Sequence, residues 1–128
     1  MKVLLDTHAF IWWDSDPSKL SLRARAACEN PANVVLFSVA SAWEMQIKLQ
    51  LGKLQLKRPL PEIVEAQRQS NGVEVLSIGL DHVLALQDLP AHHRDPFDRL
   101  LIAQASVESA TLISHDPVFA DYPVNVLW

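Results

Sequence analysis

Apolar residues along this chain fall into two kinds of stretch. Residues 2–5, 34–37, 73–78 and 111–114 are short β-branched or aliphatic runs bounded by turn-forming residues. That is the pattern of strands in a parallel sheet covered on both faces. Residues 124–127 form a weaker fifth run. Between the runs, apolar positions recur with helical spacing over residues 7–13, 20–28, 38–51, 60–69, 80–87 and 96–107. Strand–helix alternation of this kind predicts an α/β fold with right-handed crossovers, three layers deep. Helix ends are marked. Ser38 is placed to cap the helix after the second strand, and Gly52 stands where a left-handed residue would end it. Asp16-Pro17, Asp95-Pro96 and Asp116-Pro117 each pair a capping carboxylate with a proline suited to the first helical turn.

Composition narrows the picture. With 128 residues, 49% hydrophobic and 20% charged, and only 3 glycines, the chain has the make-up of one globular domain spanning 1–128. The longest apolar runs, 9–13 and 34–37, are far shorter than a bilayer span, and Met1-Lys2 leads into only three apolar residues before Asp6. No membrane association is expected. Cys28 stands alone, so no disulfide or Cys-rich zinc site is expected and the cytoplasm is the expected compartment. A net charge of −4 argues against a broad basic face for nucleic acid. Setting aside Asp6, Glu44, Asp98 and Asp116, however, leaves 11 acids against 11 Lys and Arg, so the excess acidity equals one candidate site.

Those four acids share a logic. In open parallel sheets, ligands bind beyond the carboxyl ends of the strands. Asp6 follows the first strand directly, and Asp116 follows Leu112-Ile113-Ser114 with only His115 between. If those strands are neighbours, both acids project over one rim. Glu44 lies six residues into its helix, past any capping position. Asp98 completes an i, i+3, i+4, i+7 row with Leu101, Ile102 and Ala105, which puts a carboxylate on the sheet-facing side. Such a group must be protonated, paired or bound to a metal. A simpler role for Asp98 is favourable charge in the first helical turn, with Asp95 as the cap. Clustered carboxylates without Cys or paired His are hard oxygen donors that select Mg²⁺ or Mn²⁺ over zinc, and such sites commonly serve phosphoryl chemistry.

Four separated motifs carry a family resemblance: Leu4-Leu5-Asp6-Thr7-His8-Ala9-Phe10-Ile11-Trp12-Trp13; Ser38-Val39-Ala40-Ser41-Ala42-Trp43-Glu44-Met45-Gln46-Ile47-Lys48 followed by Gly52-Lys53-Leu54; the run from His93-Arg94-Asp95-Pro96-Phe97-Asp98 to Ala105; and Ser114-His115-Asp116. Together, in this order, they resemble PIN-domain proteins, and more narrowly the VapC-type toxins of toxin-antitoxin pairs. The resemblance implies a three-layer α/β/α fold around a parallel four- or five-stranded sheet. It also implies a metal-dependent endoribonuclease using Mg²⁺ or Mn²⁺, with RNA as substrate, a cognate antitoxin protein as partner and a homodimeric state. By matching, Asp6, Glu44, Asp98 and Asp116 take the places of the family's metal-site acids, with Glu44 orienting water or completing the shell. Asp95 is an extra acid of this branch, a cap first and an outer helper second. Thr7 and Ser114 match small hydroxyl positions near the metal. His115 stands where this branch often has Arg.

Other chemistries fit less well. No pair among the five His has zinc-ligand spacing, and the glycines at 52, 72 and 79 match neither a P-loop nor a dinucleotide fingerprint. No nucleophile-elbow motif occurs. A receiver-like domain would need an acidic neighbour beside Asp6, which is absent. A catalytically inactive PIN-like protein-binding module is the remaining alternative. Trp12, Trp13 and Trp43 are either core and interface residues or stacking platforms for bases; the first two are consecutive, so one is expected in the core and the other at a subunit interface. Residues 48–58 (KLQLGKLQLKR) read as a snorkelling amphipathic surface, or as a basic clip for a nucleic-acid backbone or a second subunit.

Overall fold

All five apolar runs form strands: β1 (Lys2–Leu5), β2 (Val34–Ser38), β3 (Glu74–Leu76), β4 (Thr111–Ile113) and β5 (Val126–Leu127). In the computed structural model, which describes residues 1–128, they make one sheet in the order β3-β2-β1-β4-β5, every pair parallel. Around it lie α1 (Thr7–Ser15), α2 (Leu22–Glu29), α3 (Val39–Gln50), α4 (Leu60–Asn71), α5 (Leu80–Ala85) and α6 (Pro96–Glu108). The sheet is five-stranded, the larger of the two expected sizes. No helix is long and apolar enough to cross a membrane.

The unbroken apolar character of the central strands has a simple cause. Val3, Leu5, Val35, Phe37 and Ile113 point to one face, where they pack with Phe10 and Trp13 of α1, Ala24 of α2, Met45 of α3 and Ile63 of α4. Leu4, Leu36 and Leu112 point to the other, against Leu101, Ile102 and Ala105 of α6 and Phe119. With helices on both faces, neither side of a central strand can be polar. The edge strand β3 covers only part of the 73–78 run: Val73 is buried in the core but precedes the first residue paired with β2, and within the strand Glu74 and Val75 are exposed while Leu76 packs against the second cluster.

Helix ends follow the capping residues, with one exception. Ser38 Oγ accepts from Ala40 N at 3.0 Å, and Gly52 (φ 71°) closes α3 as Lys53 N returns to Lys48 O at 2.8 Å. The Asp-Pro pairs at 95–96 and 116–117 act as caps. At Asp16-Pro17 the carboxylate instead accepts the Ser18 hydroxyl at 2.5 Å over a three-residue 3-10 turn, too short to need a helix cap. The next helix begins later than residue 20, at Leu22, under a Ser21 cap.

One buried polar contact fixes two helices relative to each other. Gln104 of α6, fully buried, accepts from Ser38 Oγ at 2.5 Å at the carboxyl end of β2, while its amide nitrogen reaches Ser77 O at 3.4 Å. The start of α3 is thereby held to the middle of α6. The strand order also sets where a ligand belongs. Building outward from β1, β2 and β3 lie on one side and β4 and β5 on the other, so the crevice beyond β1 and β4 is the topological switch point of the sheet.

Candidate active site

Asp6 and Asp116 stand on either side of that switch point. Leu5 is in register with Ile113, and Asp6 N donates to Ile113 O at 3.1 Å, so the sheet itself holds the Asp6 backbone. As the N-cap of α1, Asp6 accepts from Ala9 N through Oδ1 at 2.7 Å. Its Oδ2 accepts the Ser114 hydroxyl at 2.5 Å, and the same hydroxyl oxygen accepts from Asp116 N at 3.1 Å. Ser114 therefore ties the two acids together. Asp116 is exposed and caps the next turn through Val118 N at 3.0 Å. Asp6 is only 7% exposed. Burial raises its carboxyl above the ordinary value; the Ser114 and Ala9 hydrogen bonds oppose this, and the nearby Asp116 charge adds to it.

The other two acids come from helices. Glu44, buried on α3, accepts the Thr7 hydroxyl through Oε1 at 2.6 Å, and its Oε2 pairs with Lys48 Nζ one turn on at 3.3 Å. Asp98 lies half-buried at the open end of the row Leu101, Ile102, Ala105, all three of which are buried. Its Oδ2 is 2.8 Å from His93 Nε2. Burial pushes the Asp98 carboxyl up to about 6, with the Asp95 and Glu44 charges acting in the same direction and His93 against it. Asp95 Oδ1 accepts from Phe97 N at 2.9 Å and Asp98 N at 3.0 Å, so both of the simple roles read from the sequence are filled. Asp98 is a first-turn acid under an Asp95 cap, and it also faces Glu44. Ligand atoms of His93, Asp95 and Asp98 fall within 4.8 Å of one another. An edge-to-face contact between Trp43 and Phe97, centroids 5.0 Å apart, presses the first turn of α6 against α3.

The structure thus groups the acids as two pairs joined through the Asp6-Thr7 peptide. Asp6 and Asp116 line an open groove of about 550 Å³ with His8, Trp12, His115 and Pro117. Glu44 and Asp98 lie outside its lining. Trp13 is in the core, as one of the two adjacent tryptophans was expected to be; Trp12 lines the acidic groove. Trp43 is 57% exposed and therefore not a core residue. The basic segment divides: Lys48 meets Glu44 and Arg58 meets Asp14, at 3.3 Å each, so it does not present one continuous basic surface. Sequence reasoning missed His93 and Gln104 as supports of the site. The signal for Gln104 was a lone amide inside the apolar run Leu100-Leu101-Ile102-Ala103-Gln104-Ala105; for His93 there was no signal beyond its proximity to Asp98.

Comparison with known proteins agrees with this architecture. The chain is 29% identical over 115 residues to Ribonuclease VapC22 of Mycobacterium tuberculosis, covering 89% of this chain and 86% of that protein. Its fold is similar to VapBC2 from Rickettsia felis bound to a promoter DNA fragment, with a TM-score of 0.70 at 18% identity, covering 99% of this chain and 98% of that one. It is also similar to DNA-bound VapBC from Salmonella typhimurium, with a TM-score of 0.70 at 15% identity and coverage of 99% and 97%. The PIN domain family model matches residues 3–125, nearly the whole length over which the strands and acids described above are arranged. This chain belongs to the PIN-domain family.

Proposed function

We propose that the protein is a metal-dependent endoribonuclease, the toxin of a toxin-antitoxin pair, that hydrolyses RNA phosphodiester bonds at the carboxyl edge of its sheet. The observation that carries this reading is Asp6. It is a buried carboxylate at the switch point, next to a second acid, satisfied only by the neutral donors Ser114 and Ala9. A buried charge needs a counter-charge, and here a divalent cation is the group that fits. The donor set is all carboxylate and hydroxyl oxygen, hard ligands suited to Mg²⁺ or Mn²⁺.

Asp6, Asp98 and Asp116 would hold the metal, which when bound neutralises the clustered charge, polarises a phosphate oxygen and lowers the pKa of water. Ser114 keeps Asp6 turned toward Asp116. Thr7 holds one oxygen of Glu44, leaving the carboxylate oriented to accept a hydrogen bond from the attacking water. Attack of this water in line with the leaving oxygen forms one P–O bond as the opposite one breaks; the water's proton is given up to solvent and the departing oxygen takes one up, leaving a phosphate monoester and a hydroxyl end. Asp95 acts as a cap behind Asp98.

A cognate antitoxin protein as partner, a homodimeric state and a cytoplasmic location belong to the same reading. The named VapBC relatives support the antitoxin, and exposed Leu80, Val83 and Leu84 on α5 offer apolar surface for a second copy. The test is incubation of antitoxin-free protein with total cellular RNA in Mg²⁺ or Mn²⁺, beside an EDTA control and the Asp6→Asn variant, with fragment ends mapped. Discrete cuts absent from both controls are expected. Cutting by Asp6→Asn at the wild-type rate would remove the assignment, and a protein that neither cuts RNA nor binds Mn²⁺ would return it to the inactive binding module.

A further inference from the structure

The acidic groove has an aromatic wall. His8 and Trp12 on α1 have ring centroids 5.6 Å apart, Trp12 meets Trp128 edge-on at 5.9 Å, and Trp128 meets His115 at 5.2 Å. The four rings form an arc that starts two residues after Asp6 and ends one residue before Asp116. Three of its members, His8, Trp12 and His115, line the same groove as the two acids. His8 and His115 are exposed, while Trp12 and Trp128 are half-buried. Trp13 fills the core position at this point of α1, and Trp12 and Trp128 rest against that core with part of each ring still accessible, which holds the arc in place.

We propose that this aromatic arc is a nucleobase subsite: an unpaired base beside the cleaved phosphodiester stacks against Trp12 and His115 while its phosphate meets the Asp6–Asp116 edge. This rests on the nuclease reading above and specifies what that site binds. Charge gives a second argument. The groove lining carries Asp6 and Asp116 and no Lys or Arg, so contacts other than cation–phosphate pairs are needed to hold RNA within it. Base faces are uncharged, and stacking on aromatic rings needs no cation from the protein and tolerates any base identity. The groove volume lies in the range of small-ligand sites, roughly 300–1,000 Å³. The substrate is therefore single-stranded or flipped out at the cleavage position, as a paired base has no free face to offer.

The test uses a short RNA spanning a mapped cut, and a set of the same RNA with one abasic nucleotide at each position in turn. Cleavage is followed by wild type, Trp12→Leu, Trp12→Phe and His115→Ala, each first shown to melt cooperatively. For wild type, an abasic nucleotide at one position adjoining the cut should raise KM about five- to a hundredfold, the scale of one lost stacking contact, with little change in kcat. Trp12→Leu should lose that penalty, Trp12→Phe should keep most of it, and the exposed His115→Ala should reduce it. Equal KM for all the abasic substrates would overturn the subsite and leave the nuclease intact. A penalty that persists in both Trp12→Leu and His115→Ala would place base reading elsewhere, and loss of antitoxin binding in those variants would then assign the arc to the protein partner. If wild type cuts no RNA at all, the functional reading and the subsite fall together.

Discussion

The two halves of the acidic site are built differently. Asp6 and Asp116 leave adjacent parallel strands and are held mainly by backbone hydrogen bonds, Ile113 O on the Asp6 amide, Ala9 N on the Asp6 carboxylate and Val118 N on Asp116, with the short Ser114 side chain linking the two. Glu44 and Asp98 project from helices and rely mainly on side chains, Thr7 and Lys48 for the first and His93 for the second. Backbone donors have no rotamers to lose, so the strand half is preorganised. Each support of the helix half must give up side-chain freedom to act. The strand half is thus suited to fix the position of a metal ion, while in the helix half Asp98 would close on that ion from a side-chain-supported position and Glu44 would adjust around water and substrate.

Breaking the strand half should cost most. Asp6→Asn is expected to lower RNA cleavage by about 10³-fold or more, since it removes a charge central to transition-state stabilisation. Its melting temperature in EDTA should be unchanged or higher, because a buried charge has gone; a collapsed fold would show Asp6 to be structural instead. Glu44→Gln should reduce kcat by about 10²-fold, on the scale of lost general acid–base assistance, with Mn²⁺ affinity nearly preserved. A large loss of affinity would move Glu44 among the metal ligands.

The hydroxyls separate the halves further. Ser114→Ala should weaken Mn²⁺ binding in calorimetry by about 10- to 100-fold, the usual effect of removing a group that orients a metal ligand. Thr7→Val should leave that affinity nearly intact and lower kcat, because it frees Glu44 alone. Equal effects of the two on Mn²⁺ affinity would erase the distinction.

The smallest effect is on stability against pH. Asp98 in the folded chain titrates at about 6, above the ordinary 3.8, so between those values the folded state binds more protons than the unfolded. Its contribution therefore becomes more favourable as pH falls through 6, and is lost again as pH rises. In EDTA, taking the protein from pH 8 to pH 5 should stabilise wild type relative to Asp98→Asn by about 1 kcal/mol in urea unfolding. Saturating Mn²⁺ should abolish the difference; a wild-type curve parallel to that of the variant in EDTA would refute the raised value.

Much of this was legible in the sequence because it is local. Strands flanked by turn residues, Ser38 and Gly52 at the ends of α3, and Asp6 abutting β1 are all read within a few positions. Asp98 was flagged by helical spacing alone. The misreadings were also local in origin: Asp16-Pro17 has the composition of a cap without a helix long enough to need one, and the 73–78 run looks like a full strand although it lies at an exposed edge. The contacts that organise the site are distant in the chain. Ser114 and Asp6 are 108 positions apart, Gln104 and Ser38 66, and Thr7 and Glu44 37. No periodicity connects them.

By itself the sequence determined the succession of strands and helices and the two-faced burial of the central strands, since each follows from backbone propensity and side-chain periodicity over short windows; the four acids became candidates for one site only when strand-end position and helical spacing were joined to the family resemblance. Only the tertiary structure decided that β4 joins β1 and so sets Asp116 beside Asp6, that Trp13 and not Trp12 enters the core, and that the aromatic arc lies along the acidic groove. Those outcomes depend on which surfaces pack together, and packing compares the whole chain at once, where a sequence pattern compares only neighbours.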